Sequence, residues 1–156
     1  MIRAVARDRR GVAALELALV APVLLAMFGS LTDFTLALSD RMRIAGAVAG
    51  GAQYAFNQGQ LLAGSQQSVS ATDVQSKVQG GTNLAGLAVA VTGPTLYCVA
   101  SAALTAGRAG TKCASGSLPG TYVIITASYH YTPMLPFYSM MARSTTLSET
   151  ASVRLY

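Results

Sequence analysis

The stretch RRGVAALELALVAPVLLAMFGSLTDF, from Arg9 to Phe34, decides how the rest of this chain is organised. It opens with two arginines and a glycine and then runs apolar to Thr32, with Glu16 as the only charge after the arginines. As a helix, residues 11–32 rise roughly 33 Å, which is enough to cross the hydrocarbon core of a bilayer. We therefore expect a transmembrane helix over residues 12–32.

Glu16 is unusual because it lies inside this apolar run. A carboxylate at the centre of a bilayer costs about 2.5–3.5 kcal/mol on insertion scales, and intramembrane acids usually mark a partner or a pathway. The surrounding sequence, GVAALEL from Gly11 to Leu17, resembles the processing site of type IV prepilins. In that family a membrane-embedded aspartic peptidase cuts after the glycine, and the fifth residue of the mature chain is glutamate.

Two further segments point to a more specific family. The run from Arg9 to Leu38 together with AGGAQYA (Ala49–Ala55) resembles the TadE-like pseudopilins of tight-adherence (Tad) pilus systems, and YHYTPMLPFYSMMARSTTLSETASVRLY is similar to that family's C-terminal end. The resemblance implies an α+β, type IV pilin-like fold, in which a long N-terminal transmembrane helix packs on a small antiparallel β-sheet head. It also implies cleavage by the prepilin peptidase between Gly11 and Val12.

Gly11 and Glu16 each have a simpler interpretation that does not involve processing. Gly11 can be a flexible hinge between the leader and the helix. Cleavage would create an α-amine on Val12, and Glu16 can pair with that amine in the same or a neighbouring subunit, since a buried carboxylate needs an opposite charge. Otherwise Glu16 lies at the headgroup level and pairs with Arg9 or Arg10.

The composition agrees with a membrane-anchored chain that carries one small domain. Its 156 residues are 52% hydrophobic and 11% charged, which is too apolar for an ordinary cytosolic protein. The net charge is +5, and four arginines precede the span: Arg3, Arg7, Arg9 and Arg10. Such a cluster keeps its end of the helix in the cytoplasm. A nucleic-acid patch is disfavoured, because no aromatic residues alternate with these charges.

The two cysteines, Cys98 and Cys113, fall on the side that this topology makes extracytoplasmic. An oxidising compartment favours a disulfide between them, which would be worth roughly 3 kcal/mol for a loop of this length. Two thiolates and the lone histidine, His130, do not supply four metal ligands, so we expect neither a metal nor a cofactor.

The periodicity predicts one long helix followed mostly by strands. The helix covers residues 12–56, between a basic leader (1–11) and a head domain (57–156). Its part beyond the span, residues 33–56, is amphipathic, with an apolar stripe formed by Phe34, Leu38, Met42, Ala45, Val48 and Ala52. A short helix follows over residues 72–78, with Ser70 or Thr72 as its N-cap.

Four segments of the head have the composition of strands. Leu87–Thr92 and Thr95–Ala100, separated by Gly93-Pro94, can form a hairpin, and Thr105–Gly120 has the composition of a loop. Tyr122–Tyr131 and Thr145–Leu155 alternate strictly, except that Glu149 falls on the apolar face of the last strand. The sequence explains that glutamate only by an edge position or an ion pair.

Nothing in the sequence indicates an enzyme. It contains no nucleophile–His–Asp set, phosphate-binding loop or paired carboxylates, and His130 suits a structural or surface role. Tyr54 fits the family pattern, but a helix end packed on the sheet explains it equally well. The segment MLPFYSMMA (Met134–Ala142) is either a second contact surface or packing at the sheet edge.

We therefore interpret the chain as a processed pseudopilin, a minor structural or assembly subunit of a Tad-type pilus that serves surface attachment. Its expected partners are the prepilin peptidase, the bacterial inner membrane, and other pilin or pseudopilin subunits through the N-terminal helix. Nucleic acid is not among them. The alternative is an uncleaved, signal-anchored envelope protein whose extracytoplasmic domain binds a ligand or partner.

Overall fold

The computed structural model describes residues 9–65, 67–100, 103–135, 138, 142 and 144–156. Across these residues the elements follow in the order α1 (Arg9–Leu61), α2 (Ala71–Gly80), β1 (Ala88–Ala100), β2 (Ala103–Ala106), β3 (Gly120–His130) and β4 (Thr146–Arg154). The chain divides into two compact units. The span unit comprises Met1–Leu38 and Thr132–Thr145, and the sheet unit comprises Ser39–Tyr131 and Thr146–Tyr156.

Helix α1 is 53 residues long, so it begins before and ends beyond the predicted range of 12–56. Three hydroxyls on its middle part, those of Ser30, Thr32 and Thr35, donate hydrogen bonds of 2.7–2.9 Å to the carbonyl four residues earlier. Such bonds satisfy polar side chains within the helix itself. This stretch can therefore lie in or near apolar surroundings without exposing unpaired donors. The predicted boundary between helix and head domain stays a prediction.

The sheet unit contains a four-stranded antiparallel sheet in the order β2-β1-β3-β4. The alternation predicted for residues 122–131 is confirmed, because Val123, Ile125 and Ala127 are buried and point to one face. The alternation predicted for the last strand is confirmed as well, with every second residue of β4 partly buried. The α+β, pilin-like arrangement expected from the sequence is thus the observed one.

The predicted hairpin between Leu87–Thr92 and Thr95–Ala100 is wrong. Both segments belong to the single strand β1, and both pair with β3, with a shift of register between Thr92 and Thr95. Gly93 adopts a φ of +113° at this shift, a conformation that a glycine allows at little cost. The hairpin partner of β1 is β2, which starts just before the predicted loop and pairs Cys98 with Thr105.

The core of the sheet unit lies between the inner face of the sheet and the two helices. Its buried members include Ile44 and Val48 from α1, Val74 and Val78 from α2, and Ile125 from β3. Helix α2 begins one residue before the predicted range of 72–78, and Ser70 is the one of the two predicted N-caps that is observed. Its hydroxyl accepts a 3.3 Å hydrogen bond from the backbone N–H of Asp73.

The predicted apolar stripe of α1 is largely wrong. Phe34, Leu38 and Met42 are 59%, 46% and 62% exposed, and Ala45 is exposed as well. The prediction is correct at Val48, which is buried, and at Ala52, which is partly buried. The buried line of α1 thus follows a different face over most of its length. That line consists mostly of small residues: Ala37, Ile44, Ala47, Val48, Gly51, Ala55 and Gly59. Small side chains allow the helix backbone to approach its neighbours closely, so the largest apolar residues of α1 are left on the other faces.

Candidate functional site

The first part of α1 presents an apolar surface to its surroundings. Its large side chains from residue 12 to residue 34 are between 44% and 71% exposed: Val12, Leu15, Leu17, Leu19, Val20, Val23, Leu24, Leu25, Met27, Phe28, Leu31 and Phe34. Among the described residues, α1 is the one helix long and apolar enough to cross a membrane. An exposed apolar surface of this extent needs lipid or protein to cover it.

The predicted processing and register residues lie at the start of this surface. Gly11 is exposed, and a methyl group placed on it would meet no atom within 4 Å. Val12 is 58% exposed, and Glu16 is exposed with no ion-pair partner among the side chains that the structure describes. Because Val12 and Glu16 are four residues apart, they lie one above the other on one face of α1.

Arg9 and Arg10 are the alternative partners of Glu16. The side chains of Arg9 and Arg10 and the leader residues 1–8 lie outside the described residues. Near Glu16 the small residues Ala13, Ala14 and Ala18 are exposed. In a bilayer such small side chains allow two helices to approach closely and pack by van der Waals contact. The start of α1 thus combines one carboxylate with a surface suited to another helix.

Asp33 is the site residue that the sequence did not predict. It is 1% exposed, and its two carboxylate oxygens accept hydrogen bonds of 2.9 Å from the backbone N–H groups of Met134 and Leu135. One turn earlier, the side chain of Leu135 lies on Gly29, where any side chain would overlap with it. Asp33 and Gly29 therefore hold the start of segment 132–145 against α1.

An apolar groove of about 710 Å³ lies beside this contact within the span unit. Its walls are formed by Leu24, Ala26, Met27, Phe28, Ser30, Leu31 and Phe34 of α1, with Tyr138 and Ala142 of the segment. The described residues of the predicted contact segment, among them Leu135 and Tyr138, thus lie on α1. Pro136, Phe137, Met140 and Met141 lie outside the described residues.

A second polar contact explains Glu149. The Nε of Arg41 donates a 2.6 Å hydrogen bond to Oε1 of Glu149, which lies on the edge strand β4. This hydrogen bond, and next the charge of the carboxylate, raise the pKa of Arg41, so the guanidinium stays charged throughout the physiological range. Both explanations offered by the sequence, an ion pair and an edge position, are confirmed.

The other residues singled out in the sequence are the two cysteines, Tyr54 and His130. Cys98 of β1 and Cys113 form a disulfide, with their Cα atoms 5.6 Å apart. The Nζ of Lys77 lies 5.5 Å from the ring centroid of Tyr54, which is partly buried against the core. His130 is exposed at the end of β3. In the described part of the chain, no group of three or more acidic, histidine or cysteine side chains is placed to hold a metal.

Comparison with known proteins supports the interpretation of α1. The family model for TadE-like proteins matches residues 11–53, from the predicted processing glycine into the part of α1 that packs in the sheet unit. Comparisons with curated proteins and with solved structures give no match. The resemblance found in the sequence is thus confirmed over α1, and the sheet that follows lies outside the matched residues.

Proposed function

We propose that this chain, a TadE-like protein of the Tad pilus type, is a minor structural or assembly subunit of such a pilus and contributes to surface attachment. The observation that carries the proposal is the family match over residues 11–53, which begins at Gly11. The exposed apolar surface of α1 supports it, because a subunit that assembles through its helix must leave that helix uncovered in the single chain.

The proposed mechanism begins with insertion and cleavage. The arginines before the span keep the N-terminus in the cytoplasm, and the prepilin peptidase cuts between Gly11 and Val12. The accessibility of Gly11 supports this step, since a protease must bind the chain around the cleaved bond in its own groove. The cut converts a neutral peptide nitrogen into the positively charged α-amine of Val12.

Glu16 then supplies the register for assembly. In lipid its carboxylate needs an opposite charge, and the new amine of Val12 on an adjacent subunit provides one. The surrounding alanines let two helices come close enough for that pair to form. The chemistry is packing and charge pairing, so the protein acts as a subunit and not as an enzyme.

The decisive experiment is the intact mass and N-terminal sequence of the protein from its native membranes. A chain that begins at Val12 is the expected result. A chain that still carries residues 1–11 while the peptidase is active would refute processing, and would favour the signal-anchored protein with a partner-binding domain.

The role of Glu16 is tested on the same material. We expect Glu16→Gln to be cleaved normally but to be strongly depleted from sheared pili, because breaking a buried charge pair costs about 3–5 kcal/mol. The matched control is Asp40→Asn, which removes the same charge outside the predicted span, and it should enter pili like the wild type. Equal incorporation of both variants would exclude the register role.

A further inference from the structure

The start of the segment after β3 lies against α1 at Gly29 and Asp33. The carboxylate oxygens of Asp33 accept hydrogen bonds from the backbone N–H groups of Met134 and Leu135. The side chain of Leu135 also packs on Gly29. If residues 12–32 fill the hydrocarbon core, this level is the end of the span opposite the arginines. The turn at Met134 and Leu135 then lies at the boundary between acyl chains and headgroups.

The chemistry of the segment suits that boundary. From Tyr131 to Ala142 the sequence carries no charged residue. Met134 is 78% exposed, whereas Asp33, which accepts hydrogen bonds from the N–H groups of Met134 and Leu135, is 1% exposed. The two amides that the turn would otherwise leave unpaired are satisfied by Asp33, which removes the main cost of placing an irregular backbone beside lipid.

The apolar groove connects the segment with the surface of the span. Phe28, Leu31 and Phe34 line it and are also exposed on α1, so the groove continues the surface that lipid would cover around residues 12–32. This continuity indicates lipid in the inserted chain before assembly, because the acyl chains around residues 12–32 meet the same surface that lines the groove. Tyr138, on the other wall, has the amphipathic ring that favours membrane interfaces.

We propose that the turn at Met134 and Leu135 is a second membrane contact, in which the exposed side chain of Met134 rests in the interfacial layer of the outer leaflet and Asp33 holds the turn there. The inference rests on the proposed insertion of residues 12–32. It gives the chain two attachments to the same leaflet, one by the end of α1 and one by a segment far along the sequence.

Fluorescence quenching by lipid tests the contact, because the chain contains no tryptophan. The full-length protein would be reconstituted into phosphatidylcholine vesicles with bromine atoms at a shallow acyl position. Met134→Trp carries the probe, Leu25→Trp on the exposed side of the span is the positive control, and Leu118→Trp in the sheet unit is the water-exposed control. All three sites are well exposed, at 78%, 71% and 66%, so each tolerates the larger ring.

We expect Met134→Trp to show blue-shifted emission and to be quenched by the brominated lipid, while Leu118→Trp is not. Adding Asp33→Asn, which leaves one of the two carboxylate acceptors, should reduce the quenching of Met134→Trp and leave that of Leu25→Trp unchanged. Quenching of Leu25→Trp alone would refute the second contact but keep the span. Failure of Leu25→Trp as well would refute the span and the proposed function with it. Emission of Met134→Trp that is blue-shifted, unquenched and dependent on protein density would identify a second copy as the occupant, and would also refute the proposal.

Discussion

Gly50 and Gly51 are adjacent in α1, but Gly50 is exposed and Gly51 is buried. A side chain at Gly51 would overlap with Val78 of α2, whereas one at Gly50 would meet no atom within 4 Å. We therefore expect Gly51→Ala to lower the free energy of unfolding by about 1–3 kcal/mol, the usual cost of overpacking a core. Gly50→Ala should raise it by about 0.5–1 kcal/mol, because alanine favours a helix interior over glycine.

The measurement is thermal or urea unfolding of the full chain in detergent, followed by circular dichroism. Gly50→Ala is the matched control, since it makes the same chemical change one residue away. If both variants shift the unfolding midpoint in the same direction, close packing of α1 on α2 is not what requires glycine at position 51.

The same scale shows what the sequence allows one to predict about single residues. Gly11 and Glu16 stand out because their meaning lies in local spacing, which the sequence displays directly. Asp33 does not, because its partners are backbone amides about 100 residues away, and they become neighbours only after folding. Glu149 is intermediate: its place on an apolar face indicated a partner, but only the fold identifies Arg41.

At the scale of elements, the disulfide gives a measurable stability. It joins the central strand β1 to the loop between β2 and β3, and the two cysteines are separated by 15 positions in the sequence. Reduction should lower the free energy of unfolding by about 3 kcal/mol, because the unfolded chain regains the freedom of that loop. Unfolding of the full chain with and without reductant, and of the Cys98→Ser/Cys113→Ser variant, measures this effect.

Alkylation and mass measurement confirm in each sample that the thiols are free. Leu118→Ala is the control, since it alters an exposed side chain of the same loop without touching the crosslink. Midpoints that agree between the oxidised and reduced protein would show that the fold constrains this loop without the disulfide.

The elements also show where periodicity succeeds and where it fails. Strict alternation placed the buried faces of β3 and β4 correctly, because each strand packs one face on a core. The same reasoning misplaced the buried stripe of α1, since it assumed that Phe34, Leu38 and Met42 would turn inward. In α1 the large residues Phe34, Leu38 and Met42 are exposed instead, and the buried line consists of alanines and glycines together with Ile44 and Val48.

At the scale of the whole molecule, we expect the charge of the leader to set the orientation of the span, and that orientation to decide whether the cysteines are oxidised. The leader carries four arginines and one aspartate, and such a charge keeps the N-terminus in the cytoplasm. In the proposed topology the cysteines reach an oxidising compartment, where a disulfide forms and persists. The oxidation state of Cys98 and Cys113 therefore reports the orientation of the span.

Replacing Arg3, Arg7, Arg9 and Arg10 with glutamine should invert a fraction of the chains and leave their cysteines reduced in the cytoplasm. The measurement is a gel shift after lysis in a polymer-linked maleimide, with virtually no labelling expected for the wild type. The control, Arg108→Gln/Lys112→Gln, removes positive charge from the other side of the span and should remain unlabelled. A wild-type protein that is readily labelled would place the sheet unit in a reducing compartment, and no pilus subunit with this topology could then be assembled from it. An unlabelled four-arginine variant would instead show that the apolar span, and not the leader charge, sets the orientation.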